Sequence, residues 1–164
     1  MIRKHLTIGR LLPVAVVVAA FAAAASTAGA MTISLGNPNL TGRVAITEPV
    51  TVTCTAFDQS LTLVSENVSL QVQQAAGRSI AHGSASSFSF LPTLLFPCDG
   101  SQTTVPVTIP ADPAGPPFHG GPAVFTASAS ATASTPCFPG STTCFTSPSA
   151  SQTASSGATA LNLH

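Results

Sequence analysis

An all-β fold, an antiparallel Ig-like β-sandwich of about seven to nine short strands behind a cleaved signal peptide, is predicted by three features of this 164-residue chain. Apolar and polar residues alternate with period two through much of residues 31–164. Turn-forming Gly, Pro, Asn and Asp recur between those runs. No long stretch after residue 30 combines helical periodicity with caps, and the first thirty residues have the three-part layout of an export signal.

The signal comes first. Arg3, Lys4 and Arg10 form a basic start, Leu11 to Ala25 is an uncharged apolar run, and Ala28-Gly29-Ala30 is a small-x-small cleavage site. The run is shorter than the roughly 20 residues that span a bilayer, so cleavage after Ala30 is expected rather than a transmembrane anchor. No Cys follows it to carry a lipid. The remaining chain, 31–164, reads as a single secreted domain.

Ile33 and Leu35 alternate with polar residues before a Gly36-Asn37-Pro38-Asn39 turn, and Leu40, Val44 and Ile46 follow. Val50-Thr51-Val52-Thr53-Cys54-Thr55 is the clearest strand, with threonines on one face. Leu61 to Leu63 and Val68 to Gln73 are the next two, and the second turns at Ala76-Gly77-Arg78 into Ser79 to His82. Val105, Val107 and Ile109 line another strand, in which Pro106 indicates an edge or a bulge. A Pro- and Gly-rich loop spans Pro110 to Pro122, after which Ala123 to Ala133 alternate with Ser, Thr and Val. The last strand falls between Ala150 and Leu163; the alternative for the Ser/Thr/Ala-rich tail 147–164 is a frayed linker.

Cleavage changes the electrostatics. Only Arg43 and Arg78 remain against Glu48, Asp58, Glu66, Asp99 and Asp112, a net charge of −3. Two arginines cannot neutralise a run of phosphates, so a nucleic-acid partner is excluded. The mature chain holds 32 Val, Ile, Leu, Met and Phe in 134 residues, enough only for a thin core in which alanine fills much of the space. Covalent staples therefore matter. Four cysteines in an exported chain read as two disulfides with three pairings open. The pairing favoured is Cys54–Cys98, worth about 4 kcal/mol by loop entropy, with Cys137–Cys144 at about 2.5 kcal/mol. A four-thiolate metal site is disfavoured because no C-x-x-C pair is present.

The catalytic sets searched for are incomplete. His119-Gly120-Gly121 resembles an oxyanion loop but has no G-x-S-x-G elbow beside it, and reads as a glycine turn with a solvated histidine. Asp58, Glu66, Asp99 and Asp112 fall in predicted turns, where carboxylates serve the local backbone rather than pair for glycoside hydrolysis. His82, His119 and His164 share no ligand spacing, and Asp99-Gly100-Ser101 lacks the alternating oxygens of a calcium loop. No cofactor or metal is expected. Asn39-Leu40-Thr41 and Asn67-Val68-Ser69 match glycosylation sequons, which the bacterial look of the composition argues against using. Phe88 to Phe96 is the most apolar stretch after the signal, and Pro92 interrupts it. It reads as a bent core strand or a loop over one end of the sandwich. The functional alternative is an exposed binding patch of Phe88, Phe90, Leu91, Leu94, Leu95 and Phe96.

Val-Thr-Val-Thr-Cys54, the Gln71 to Gly83 hairpin with Gly77 and Ile80, Cys98-Asp99-Gly100-Ser101-Gln102, and Pro117-Phe118-x-Gly120 before Ala123 together span roughly residues 50 to 133. In these pieces the chain resembles a group of uncharacterised small secreted proteins of actinobacteria. That resemblance implies an Ig-like sandwich and export, and brings no functional residues with it. The chain is also similar in composition to the neocarzinostatin-type apoproteins, and the short Cys137–Cys144 loop looks alike, but Cys54 and Cys98 are too far apart for that family's second small loop. The expectation is a non-catalytic secreted protein that binds an unknown protein or envelope component through its surface. A carrier of a small apolar ligand is the alternative, followed by a protease inhibitor presenting Phe138-Pro139-Gly140-Ser141.

Overall fold

The structure, a computed structural model, describes residues 31–135 and 149–164. Residues 1–30, where the export signal is expected, and Cys137, Cys144 and the Phe138 to Ser141 loop lie outside the described residues. Among those described there are eight strands: β1 (Thr32–Leu35), β2 (Asn39–Thr41), β3 (Ala45–Thr53), β4 (Thr62–Ala76), β5 (Ser79–Phe90), β6 (Gln102–Pro110), β7 (Gly121–Ser134) and β8 (Ser149–Leu163). All pairings are antiparallel, in two sheets.

In the first sheet β3 is central. β6 pairs with it over its whole length, while β1 and β2 share its other side end to end. In the second sheet the order is β5-β4-β7-β8. Period-two alternation turns one face of each sheet inward. Ile46, Val50, Val52, Val105, Val107 and Ile109 come from the first sheet. Val68, Leu70, Val72 and Phe125 face them from the second. Along β7 the inward positions other than Phe125 are Ala123, Ala127, Ala129, Ala131 and Ala133, so alanine does fill much of the core. Phe96 and Phe118, both buried, are loop residues set into that core.

The last strand, expected between Ala150 and Leu163, is β8, tied to β7 from end to end rather than frayed. Two other assignments change. Residues 62–76 form one 15-residue strand rather than two, because a register shift between Leu63 and Ser65 absorbs the irregularity without ending the β4–β7 pairing. Glu66 lies on the inner face of β4 and not in a turn. Pro106 does sit on an edge strand, where its missing N–H costs no ladder bond.

Two local devices shape the second sheet. Left-handed Gly77 opens the two-residue turn between β4 and β5, a conformation only glycine adopts freely. In β8, Ser156 is an unpaired extra residue between Ser155 and Gly157. Its Oγ accepts the Ala127 N–H at 3.0 Å in place of a backbone carbonyl, and left-handed Gly157 follows.

Candidate functional site: an exposed aromatic edge beside a charge-free groove

Alternation along β5 decides which aromatics reach solvent. Ala81, Gly83 and Ala85 turn inward, so His82, Ser84, Ser86, Phe88 and Phe90 turn outward. Phe88 and Phe90 are 54% and 60% exposed, and their rings meet edge to face with centroids 4.3 Å apart. Beyond β5, Leu91 and Leu94 are exposed as well. Leu95 is half-buried and Phe96 is fully buried. The six residues of the predicted patch therefore divide: four face solvent, one lies at the boundary, and Phe96 is an anchor.

The 91–98 segment is held in place from below. The Glu66 carboxylate accepts the backbone N–H groups of Leu95 and Phe96 through Oε2, the latter at 3.3 Å. Cys98 is disulfide-bonded to the buried Cys54, with 4.5 Å between their Cα atoms, and the Gly100 N–H donates to the Cys54 carbonyl. The Cys54–Cys98 half of the favoured pairing is thus present. Above this segment, Phe57, Leu61, Leu63, Leu94 and Pro97 line an open cleft of about 300 Å³.

The registers place the outward side chains of the second sheet in rows. Phe88 lies beside Asn67, Ser130 and Thr153; the next row is Ser86, Ser69, Ser128 and Ser155; then come Ser84, Gln71 and Thr126. Ser69 and Ser128 hydroxyls are 2.7 Å apart across the β4–β7 pair. Between β4 and β5 two depressions adjoin, of about 290 and 430 Å³, sharing Gln71 and Ser84. The larger also touches Gln73 and His82 and is walled by Pro110 to Pro113.

Charge is absent from these faces for a reason visible strand by strand. Arg43, Asp58, Arg78, Asp99 and Asp112 all lie in the connections between strands. Asp58, Asp99 and Asp112 accept the N–H two residues on, from Ser60, Ser101 and Ala114, as turn carboxylates do. The Ser101 hydroxyl and then its N–H hold Asp99 below the ordinary carboxylate range, and the Ser60 N–H and hydroxyl do the same for Asp58. The two glutamates are buried instead. Glu48 lies between Ile46 and Val50 on β3; its Oε1 accepts the Gly36 N–H at 2.7 Å, while Oε2 has no partner. Burial pushes its pKa up to about 7, against the lowering effect of that bond. Burial also raises Glu66, whose Oε1 is likewise unpartnered, and the Leu95 and Phe96 N–H groups only partly offset it.

His119 is not a freely solvated residue. Buried Gln74 grips its backbone, accepting the His119 N–H at 2.9 Å and donating to its carbonyl at 2.7 Å. The ring nitrogens lie 2.9 Å from the carbonyls of Gly120 and Ala75. These contacts attach the 117–120 segment to β4. His82 is exposed on β5, His164 ends the chain, and among the described residues no three His, Cys, Asp or Glu side chains converge on a metal position. Nor is any helix there long and apolar enough to cross a membrane.

Alternation carried one step further would have located the buried polar residues. Glu66 and Gln74 bracket the inward series Val68, Leu70 and Val72, and Glu48 interrupts the series Ile46, Val50, Val52. No family model, curated protein or solved structure matches this chain.

Proposed function

We propose that this chain is an exported, non-catalytic β-sandwich of Ig-like type that acts by surface contact in the cell envelope or outside the cell. The observation that carries the proposal is the cluster of Phe88, Phe90, Leu91 and Leu94 facing solvent from a segment pinned by Glu66, Phe96 and the Cys54–Cys98 bond. An apolar surface held rigid before binding loses little entropy when covered. The disulfide fits an oxidising compartment, and so does the signal-like start of the chain. The resemblance to small secreted actinobacterial proteins points the same way. The test is retention of the exported, oxidised protein on envelope material from its own source. Replacing Phe88 and Phe90 by Asp is expected to abolish retention without loss of folding. Turnover in a broad hydrolase screen, abolished by changing His119 or Asp99, would refute the non-catalytic reading.

A second reading, a carrier of a small apolar ligand, is favoured by the cleft between Phe57, Leu61, Leu63 and Leu94, at the small end of the range for ligand sites. Native mass spectrometry of protein from its own culture medium tests it. A copurifying apolar ligand is expected under this reading, and a bare polypeptide mass counts against it.

A further inference from the structure

We infer that the outer groove between β4 and β5 takes an extended, uncharged polysaccharide, with Phe88 and Phe90 packing against its sugar rings. The inference rests on the surface-binding proposal and names the partner class. The two depressions follow β5 from His82 to Ser86, about 14 Å at the ordinary strand rise, and the same outward row continues through Phe88 to Phe90. Its lining is Ser69, Gln71 and Gln73 from β4 with His82, Ser84 and Ser86 from β5, joined at one end by the two exposed rings.

Chemistry selects the ligand. A charged side chain covered by a neutral partner must be stripped of water without compensation, which disfavours binding. The sheet face has no charged side chain, and Asp112, in the bounding wall, has Oδ1 tied to the Ala114 N–H. Away from that wall a neutral ligand meets no such cost, whereas an anionic surface or polymer finds no cation on the face to bind. A peptide bound as a strand adds to an unpaired sheet edge, whereas β4 and β5 are paired with each other along this face. Those six groove side chains offer hydroxyl and amide groups and an imidazole, matching a partner whose whole surface is hydroxyl. Aromatic rings at one end supply the apolar contact that sugar C–H faces accept.

The test uses protein exported and oxidised from the full-length chain, sedimented with insoluble cellulose, β-1,3-glucan and chitin at 20 mM and 1 M NaCl. Retention on at least one polymer is expected, within about twofold at the two salt concentrations because no ion pairs are involved. F88A/F90A should lower the bound fraction at least tenfold and Q71A/Q73A severalfold. T51A/T104A, on the outer face of the other sheet, should leave it unchanged. An intact Cys54–Cys98 bond and an unaltered melting transition in each variant establish that folding is preserved. The inference is overturned by no retention on any polymer, by loss at high salt, or by retention indifferent to the groove variants. Equal binding to phosphatidylcholine vesicles, or a concentration-dependent dimer abolished by F88A/F90A, would overturn it in favour of a lipid surface or a second copy. If polysaccharide retention fails while the Phe88/Phe90 variants still abolish binding to envelope material, the glycan is wrong and the surface-binding proposal survives.

Discussion

Glu48 and Glu66 place two carboxyl groups where the alternation calls for Val or Leu, each with one oxygen bonded to backbone and one without a partner. The sign of their effect on stability follows from burial. A carboxyl whose folded pKa lies above its unfolded value stabilises the fold below the unfolded pKa, and that contribution is lost as pH rises through the folded value. For Glu48 the window runs from 4.5 to about 7. Glu66 acts in the same direction, while Asp58 and Asp99, held low by turn bonds, lose their contribution as the medium becomes more acidic than about pH 4. Thermal stability should therefore peak near pH 4–5 and decline toward pH 8. E48Q, which keeps an acceptor for the Gly36 N–H but cannot ionise, should flatten much of that decline. It should exceed the parent at pH 8 by at most about 3 kcal/mol. Melting curves from pH 4 to 8 for both proteins check this; a parallel decline in the variant would show that Glu48 does not titrate in this window.

The strands were largely legible from alternation because each side chain on a half-buried sheet has only two directions to choose from. Val50 to Cys54 and Ala123 to Ala133 declare their inner faces plainly, and Gly77 declares its turn. What was hidden is long-range closure. Gly83 is an example: it looks like any small strand residue, yet a Cβ there would lie 2.6 Å from the Pro110 carbonyl oxygen and 2.9 Å from the Phe118 ring. This close approach lets β5 reach the end of β6, with a bridge from Gly83 to Ala111 and a bond from the Asp112 N–H to the His82 carbonyl. G83A should cost about 1–3 kcal/mol by overpacking, read as a lowered urea midpoint with an unchanged slope. The candidate site was half visible for the same reason. The apolar run marked Phe88 to Leu94, but the groove beside it depends on the β4–β5 register, which sets Ser69, Gln71 and Gln73 opposite Ser86, Ser84 and His82, and on the distant Pro110 to Pro113 wall.

At the scale of the molecule, a thin alanine-rich core sits beside one described disulfide that closes a 44-residue separation. Loop entropy assigns that bond about 4 kcal/mol, a large share of the stability of a domain this size. Reduction should bring the melting transition down by well over 10 °C, and oxidised C54A/C98A should show the larger part of that drop; calorimetry with and without reductant decides. Unchanged melting would mean the core suffices alone. The β8 bulge has a consequence of another kind. A 15-residue edge strand with no charge and no proline is a ready template for fibril growth. Ser156 and Gly157 break its regular ladder near the middle, leaving two shorter runs out of step with each other. A deletion that restored one continuous register would remove this guard, and amyloid rather than misfolding would be the failure to expect.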